Sequence, residues 1–155
     1  MSRTDTMMLL FREIAIVDDL ARRRLREVLP AELTEAQYGV LNHLRFTGNR
    51  DETPGDLARL FDVTRPAMTQ LLGRMRAAGL VELRPAAHDG RVRHVLLTAL
   101  GRRRQAEVVD ALAVDLGRLG HRFPAAELED LLGQLRRFRL LAETVMDTAA
   151  EDRPA

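Results

Sequence analysis

Apolar residues recur at three- and four-residue spacing through Leu10, Ile14, Val17, Ala21, Leu25 and Val28. That stripe predicts an amphipathic helix from about Asp5 to Val28, and Pro30 stops it. Thr34 followed by Gln37 is a capping-box pair opening a second helix whose buried face is Tyr38, Leu41 and Leu44. Thr47 to Asp51 reads as a loop. Thr53 with Pro54 then starts a short helix to about Phe61, and Thr64 caps another that runs through Ala78 and ends at Gly79. After Gly79 the period changes. Leu80–Arg84 and Val92–Leu97 are short β-forming runs around the turn chemistry of Pro85 to Gly90, which predicts a hairpin. Thr98 caps a long helix broken at Gly120, and Pro124 opens a last one with Leu128, Leu131, Leu135, Phe138 and Val145 on one face. The tail Glu151 to Ala155 is expected to fray. Four helices, a hairpin and two helices make a mainly α chain with a small β-hairpin wing. Three regions are expected: a helix in 1–32, a winged helix-turn-helix domain in 33–98 and helices in 99–155.

The two short helices carry the pattern of a helix-turn-helix. Ala58 supplies the small side chain where they cross, and Leu57, Phe61, Val63, Met68 and Leu71 fill the angle. Asp62 takes the place usual for glycine in the turn; aspartate tolerates the left-handed conformation. With Val63, Ala67, Met68, Leu71, Leu72 and Met75 facing the core, the opposite face shows Thr64, Arg65, Pro66, Thr69, Gln70, Gly73 and Arg74. That face is short, hydrogen-bonding and free of acids. Arginine can pair with guanine, glutamine with adenine, and a threonine methyl can meet that of thymine, so these residues are the candidates for major-groove reading. At the hairpin tip His88, Asp89, Arg91 and Arg93 are candidates for a minor groove, where negative potential is strongest.

Charge sharpens the expectation of a double-stranded DNA partner. The chain is nearly neutral, yet residues 64–104 hold nine arginines against two acids, a net +7, while the rest carries a net −6. Counterion release on phosphate binding needs such a concentration. All 24 basic residues are arginine, a bias that a GC-rich genome explains better than selection for arginine everywhere, so composition alone does not argue for DNA. The triplet Arg22-Arg23-Arg24 reads as a solvated helix face.

Several chemistries are set aside. Without cysteine there is no disulfide, thiolate metal site or thiol redox sensing. The four histidines, at 43, 88, 94 and 121, show no metal-ligand spacing, so no cofactor is expected. No Ser-His-Asp order, carboxylate dyad or Gly-rich phosphate loop points to an enzyme. No apolar run approaches the ~20 residues that span a bilayer, and no signal-peptide pattern opens the chain; a cytoplasmic protein is expected.

The chain resembles the MarR family of bacterial regulators. The resemblance lies in Leu33-Thr34 with Gln37-Tyr38, Leu57-Ala58, the run Val63 to Thr69, Gly79-Leu80-Val81, Asp89-Gly90-Arg91 and Leu97-Thr98-Ala99-Leu100-Gly101, in that order. It implies a homodimer intertwined through its first and last helices, a recognition helix over Thr64–Ala78, and the Arg91 wing in the flanking minor groove. It also implies release from DNA when a small aromatic or phenolic effector enters a cleft near the dimer helices. Phe11, Arg12, Tyr38 and His43 are the candidates for lining that cleft. A ligand-responsive repressor on a pseudo-palindromic operator is therefore expected. The rival reading is a winged module for protein–protein contact without specific DNA binding, which would show apolar anchors on the recognition face.

Overall fold

The computed structural model describes residues 1–48, 52–86 and 92–151. Six helices and one hairpin follow in the expected order: α1 (Arg3–Val28), α2 (Glu35–Phe46), α3 (Pro54–Leu60), α4 (Arg65–Ala77), β1 (Val81–Pro85), β2 (Arg93–Leu97), α5 (Ala99–Gly120) and α6 (Ala125–Glu151). The chain forms two compact units, residues 1–112 and 113–155.

Local chemistry sets the helix starts in the first unit. The Thr34 hydroxyl accepts from the Gln37 backbone N–H at 3.2 Å while the Gln37 side chain takes the Thr34 N–H at 2.9 Å. Thr53 and Asp56 make the same reciprocal pair at α3, and so do Ser2 and Asp5 at α1. At Thr64 the hydroxyl alone caps, taking the Ala67 N–H at 3.3 Å. Asp62 turns the chain between α3 and α4 at φ 49°, the left-handed conformation expected of it. Gly79 closes α4 at φ +71°, which glycine reaches without strain.

The core of this unit gathers under α4. Leu41 and Leu44 from α2, Leu57 from α3, Met68, Leu72 and Met75 from α4, and Val81 and Val95 from the strands are fully buried. Each contributes roughly 2 kcal/mol by leaving water. The strands pair antiparallel with Val81 opposite Leu97 and Pro85 opposite Arg93. The Val95 N–H also donates to the Glu52 carbonyl at 2.8 Å, which ties the hairpin to the segment before α3. Gln105 of α5 is the one buried polar side chain among the described residues, 4% exposed. Its amide donates to Asn42 Oδ1 at 3.1 Å, and the Tyr38 hydroxyl donates to the same oxygen at 3.4 Å.

One expectation about burial fails. Val63 and Ala67 are exposed, Val63 at 43%. The buried stripe of α4 is Met68, Leu72 and Met75, a single i, i+4, i+7 row. Ala67 lies one residue off that row and Val63 precedes the helix, so both open onto a cleft. The apolar stripe of α1, which the resemblance assigns to a partner subunit, lies largely outside the core: only Leu25 and Val28, with Leu29 just after the helix, pack against the buried cluster. Met8, Val17 and Leu20 are among its large side chains left in solvent.

In the second unit, Val114, Leu116 and Leu119 of α5 and Leu131, Leu132, Leu135, Leu140, Leu141 and Val145 of α6 are exposed in the single chain. Among the described residues no helix is long and apolar enough to cross a membrane.

Candidate nucleic-acid interface

Burying Met68, Leu72 and Met75 fixes what α4 shows to the outside. Thr64, Arg65, Pro66, Thr69, Gln70, Gly73 and Arg74 are all exposed. The first turn of α4 carries no acid, so the positive end of the helix dipole is uncompensated there. The short side chains at 66, 69, 70 and 73 let a groove wall approach the helix closely. The candidates do not form one cluster, however. Arg65 and Thr69 line a depression of about 360 Å³ with Thr53, Pro54, Gly55, Val92 and Arg93. Arg74, a helical turn further on, lines a different cavity. Arg93 is exposed at the start of β2. His88, Asp89 and Arg91 lie outside the described residues.

The second cavity, of about 710 Å³, opens between α1, α2, the α3–α4 turn and α4. Its wall is mostly apolar, with Leu25, Tyr38, Phe61, Val63, Met68 and Leu71; Asp18, Arg22, Glu35 and Arg74 bring charge to it. Arg22 is already held by Asp18 at 2.7 Å. Burial pushes the Tyr38 phenol above its ordinary pKa, so it stays a neutral donor near neutral pH. Of the four pocket candidates the structure places only Tyr38 in this wall. Phe11 and Arg12 stand exposed on α1, with Arg12 paired to Glu13 at 3.0 Å. His43 instead faces Glu52, Nε2 to Oε1 at 3.2 Å, and meets Phe61 edge to face. Among the described residues no three His, Asp or Glu side chains gather to hold a metal.

Sequence reasoning missed the cleft role of Val63, Ala67 and Arg74, and the buried Gln105. Gln105 did leave a signal: it shares the i, i+4, i+7, i+11 row of Gly101, Val108 and Leu112, an otherwise nonpolar row.

The α3 cap predicts a pH dependence. Hydrogen bonds from the Thr53 hydroxyl and backbone N–H, aided by Arg59, hold the Asp56 carboxyl below the usual carboxylate range. A depressed native pKa contributes stability above the unfolded value near ~4, lost as pH falls through the native one. Melting of the wild type is therefore expected to fall below about pH 4 more steeply than that of Asp56→Asn, read by circular dichroism.

Residues 31–92 match the MarR family. Over 95 residues, 61% of the chain, it is 38% identical to the transcriptional activatory protein BadR of Rhodopseudomonas palustris. The chain spans about half of that relative, 54% of its length. Wild-type MarR from E. coli, solved without ligand, is 30% identical with a TM-score of 0.63, covering 83% of this chain and 96% of that one. A mutant of the same protein complexed with operator DNA is 28% identical at a TM-score of 0.61, covering 89% and 99%. A MarR family protein from Bacillus stearothermophilus shares the fold at 24% identity and a TM-score of 0.70, covering 92% and 99%.

Proposed function

This chain belongs to the MarR family of DNA-binding transcriptional regulators, and from that premise we propose that it is a homodimeric repressor whose hold on operator DNA is loosened by a small aromatic or phenolic acid. The observation that carries the reading is the outward face of α4: Thr64, Pro66, Thr69 and Gln70 exposed, acid-free, and held rigid by a fully buried underside. A protein-contact module would need large apolar anchors there, and between residues 64 and 70 the only exposed apolar residues are Pro66 and Ala67, both small. Two such helices in a two-fold dimer read a pseudo-palindrome with half-sites about one helical turn apart. Occupancy of a promoter then excludes polymerase.

The dimer reading rests on the solvent-facing leucines and valines of α1 and of the second unit, large apolar side chains of the kind that mark an interaction surface when they gather. The effector reading rests on the cleft of about 710 Å³, within the usual size for small-molecule sites. Arg74 offers a carboxylate a cationic partner on α4 itself, so a ligand there touches the recognition helix directly. Wing contacts by His88, Asp89, Arg91 and Arg93 complete the proposed interface. Activation is a second reading, favoured by BadR being named an activatory protein. Both share the DNA contact, and a promoter-fusion reporter with and without the gene separates them.

Fluorescence anisotropy on the chain's own upstream DNA, beside a random duplex, tests the reading. Gln70→Ala is expected to narrow the preference for the selected duplex by about tenfold while leaving random-sequence affinity unchanged. Equal affinity of the wild type for both duplexes would sink the repressor reading and favour protein contact.

A further inference from the structure

The depression beside α4 joins three elements that lie apart in sequence. Thr53 and Gly55 come from the start of α3, Arg65 and Thr69 from the first two turns of α4, and Val92 and Arg93 from the approach to β2. Among the described residues no acid lines it. Arg65 does not extend away from the helix into open space. Its Nε lies 3.9 Å from where a β-carbon on Gly55 would stand, so the guanidinium lies against the first turn of α3. The same missing β-carbon would sit 3.6 Å from the Thr53 hydroxyl oxygen. That hydroxyl is occupied, donating to Asp56 Oδ2 at 2.6 Å, so the anion-binding capacity of the depression comes from the two arginines and the Thr69 hydroxyl.

A base edge is read by a side chain that projects past the protein surface into a groove, whereas a backbone phosphate bulges outward and fits a concave site. Two arginines that line one hollow from different elements suit the two non-bridging oxygens of a phosphodiester better than the planar edge of guanine. We infer that Arg65 and Arg93 together clamp a single DNA backbone phosphate, so that Arg65 sets the position of α4 on the duplex and does not read a base. The inference rests on the DNA-binding reading above and changes the roles of two residues in it, Arg65 from a base and Arg93 from the minor groove to a phosphate. It leaves sequence discrimination to Gln70 and its neighbours. It also ties the wing strand to α4 through the ligand, since the two arginines belong to different elements.

The test is a salt series of anisotropy titrations with the full chain on its selected duplex and on a random one. Wild type is compared with Arg65→Ala, Arg93→Ala, the double variant and Arg65→Lys. Each alanine substitution is expected to weaken both duplexes by the same factor, on the order of tenfold near physiological salt. The double variant is expected to lose much less than the product of the two, with the salt slope shallower by about one phosphate in total. Arg65→Lys, which keeps the charge, is expected to restore most of the slope. All these side chains are exposed, and unchanged melting confirms that the variants fold. Loss confined to the selected duplex on Arg65→Ala would assign that arginine to a base and overturn the clamp. Independent, multiplying losses with the slope shallower by two would place the arginines on separate phosphates and overturn it as well. A wild type without salt-dependent binding to any duplex would instead remove the DNA reading itself, and the clamp with it.

Discussion

Gly101→Ala is expected to destabilise the first unit by at least about 3 kcal/mol, lowering its melting temperature by roughly 10 °C. A β-carbon at this position would stand 2.1 Å from the Leu80 carbonyl oxygen and 3.1 Å from its carbon, with Leu97 Cδ2 at 3.3 Å. Two of those contacts are backbone, which cannot rotate away as a side-chain tip can. The same carbonyl accepts the Thr98 N–H at 3.2 Å and the Thr98 hydroxyl at 3.1 Å. The single proton of that hydroxyl is shared with the nearer Gly79 carbonyl at 2.6 Å, and its oxygen accepts the Gly101 N–H at 3.0 Å. Pushing α5 off Leu80 therefore strains the whole knot where the end of α4, the start of β1 and the first turn of α5 meet, at the edge of a fully packed core. Gly117→Ala in the same helix is the comparator: nothing lies within 4 Å of its β-carbon position, so the change should be neutral or stabilising by up to about 1 kcal/mol. Calorimetry on both variants decides it. If Gly101→Ala melts within two degrees or so of wild type, the close approach of α5 to Leu80 is not a constraint on the fold.

The paired change Leu131→Glu and Leu135→Glu is expected to convert the proposed dimer to monomer and reduce operator affinity by at least about a hundredfold. Both leucines are exposed in the single chain, 50% and 40%, on successive turns of α6. In a dimer they leave water, and a carboxylate placed there either loses its solvation or drives the subunits apart. The DNA effect follows from geometry: once two recognition helices are joined, the second binds at high effective concentration, and separating them forfeits a factor of about 10² to 10⁴. Light scattering gives the mass and anisotropy the affinity. A concentration-dependent melting temperature in the wild type, lost in the variant, would be the thermodynamic counterpart. If the variant stays dimeric and binds DNA as before, this face of α6 is covered by something other than a second copy.

The local chemistry of the chain determined most of its elements. Capping residues at Thr34, Thr53, Thr64 and Thr98, the reversal at Gly79 and the change of period after it act within four or five residues. Interactions of that reach are written in sequence, so the order of helices and hairpin, and the left-handed turn at Asp62, could be read directly. The outward face of α4 was legible for the same reason, because a 3.6-residue period leaves little choice once one side is buried.

What only the tertiary structure decided was where each surface points beyond its own helix. An apolar residue reads the same whether it meets the core, a cleft or solvent, so Val63 and Ala67 looked like core. Arg65 and Arg74 lie on one helix face in sequence, yet one sits in a hollow with Arg93 and the other in the wall of the cleft with Tyr38. Gly101 carried no mark beyond being a glycine in a helix; its necessity comes from a carbonyl twenty-one residues earlier. These properties depend on which elements pack against one another, and contacts between positions distant in sequence are not encoded in the periodicity of either one.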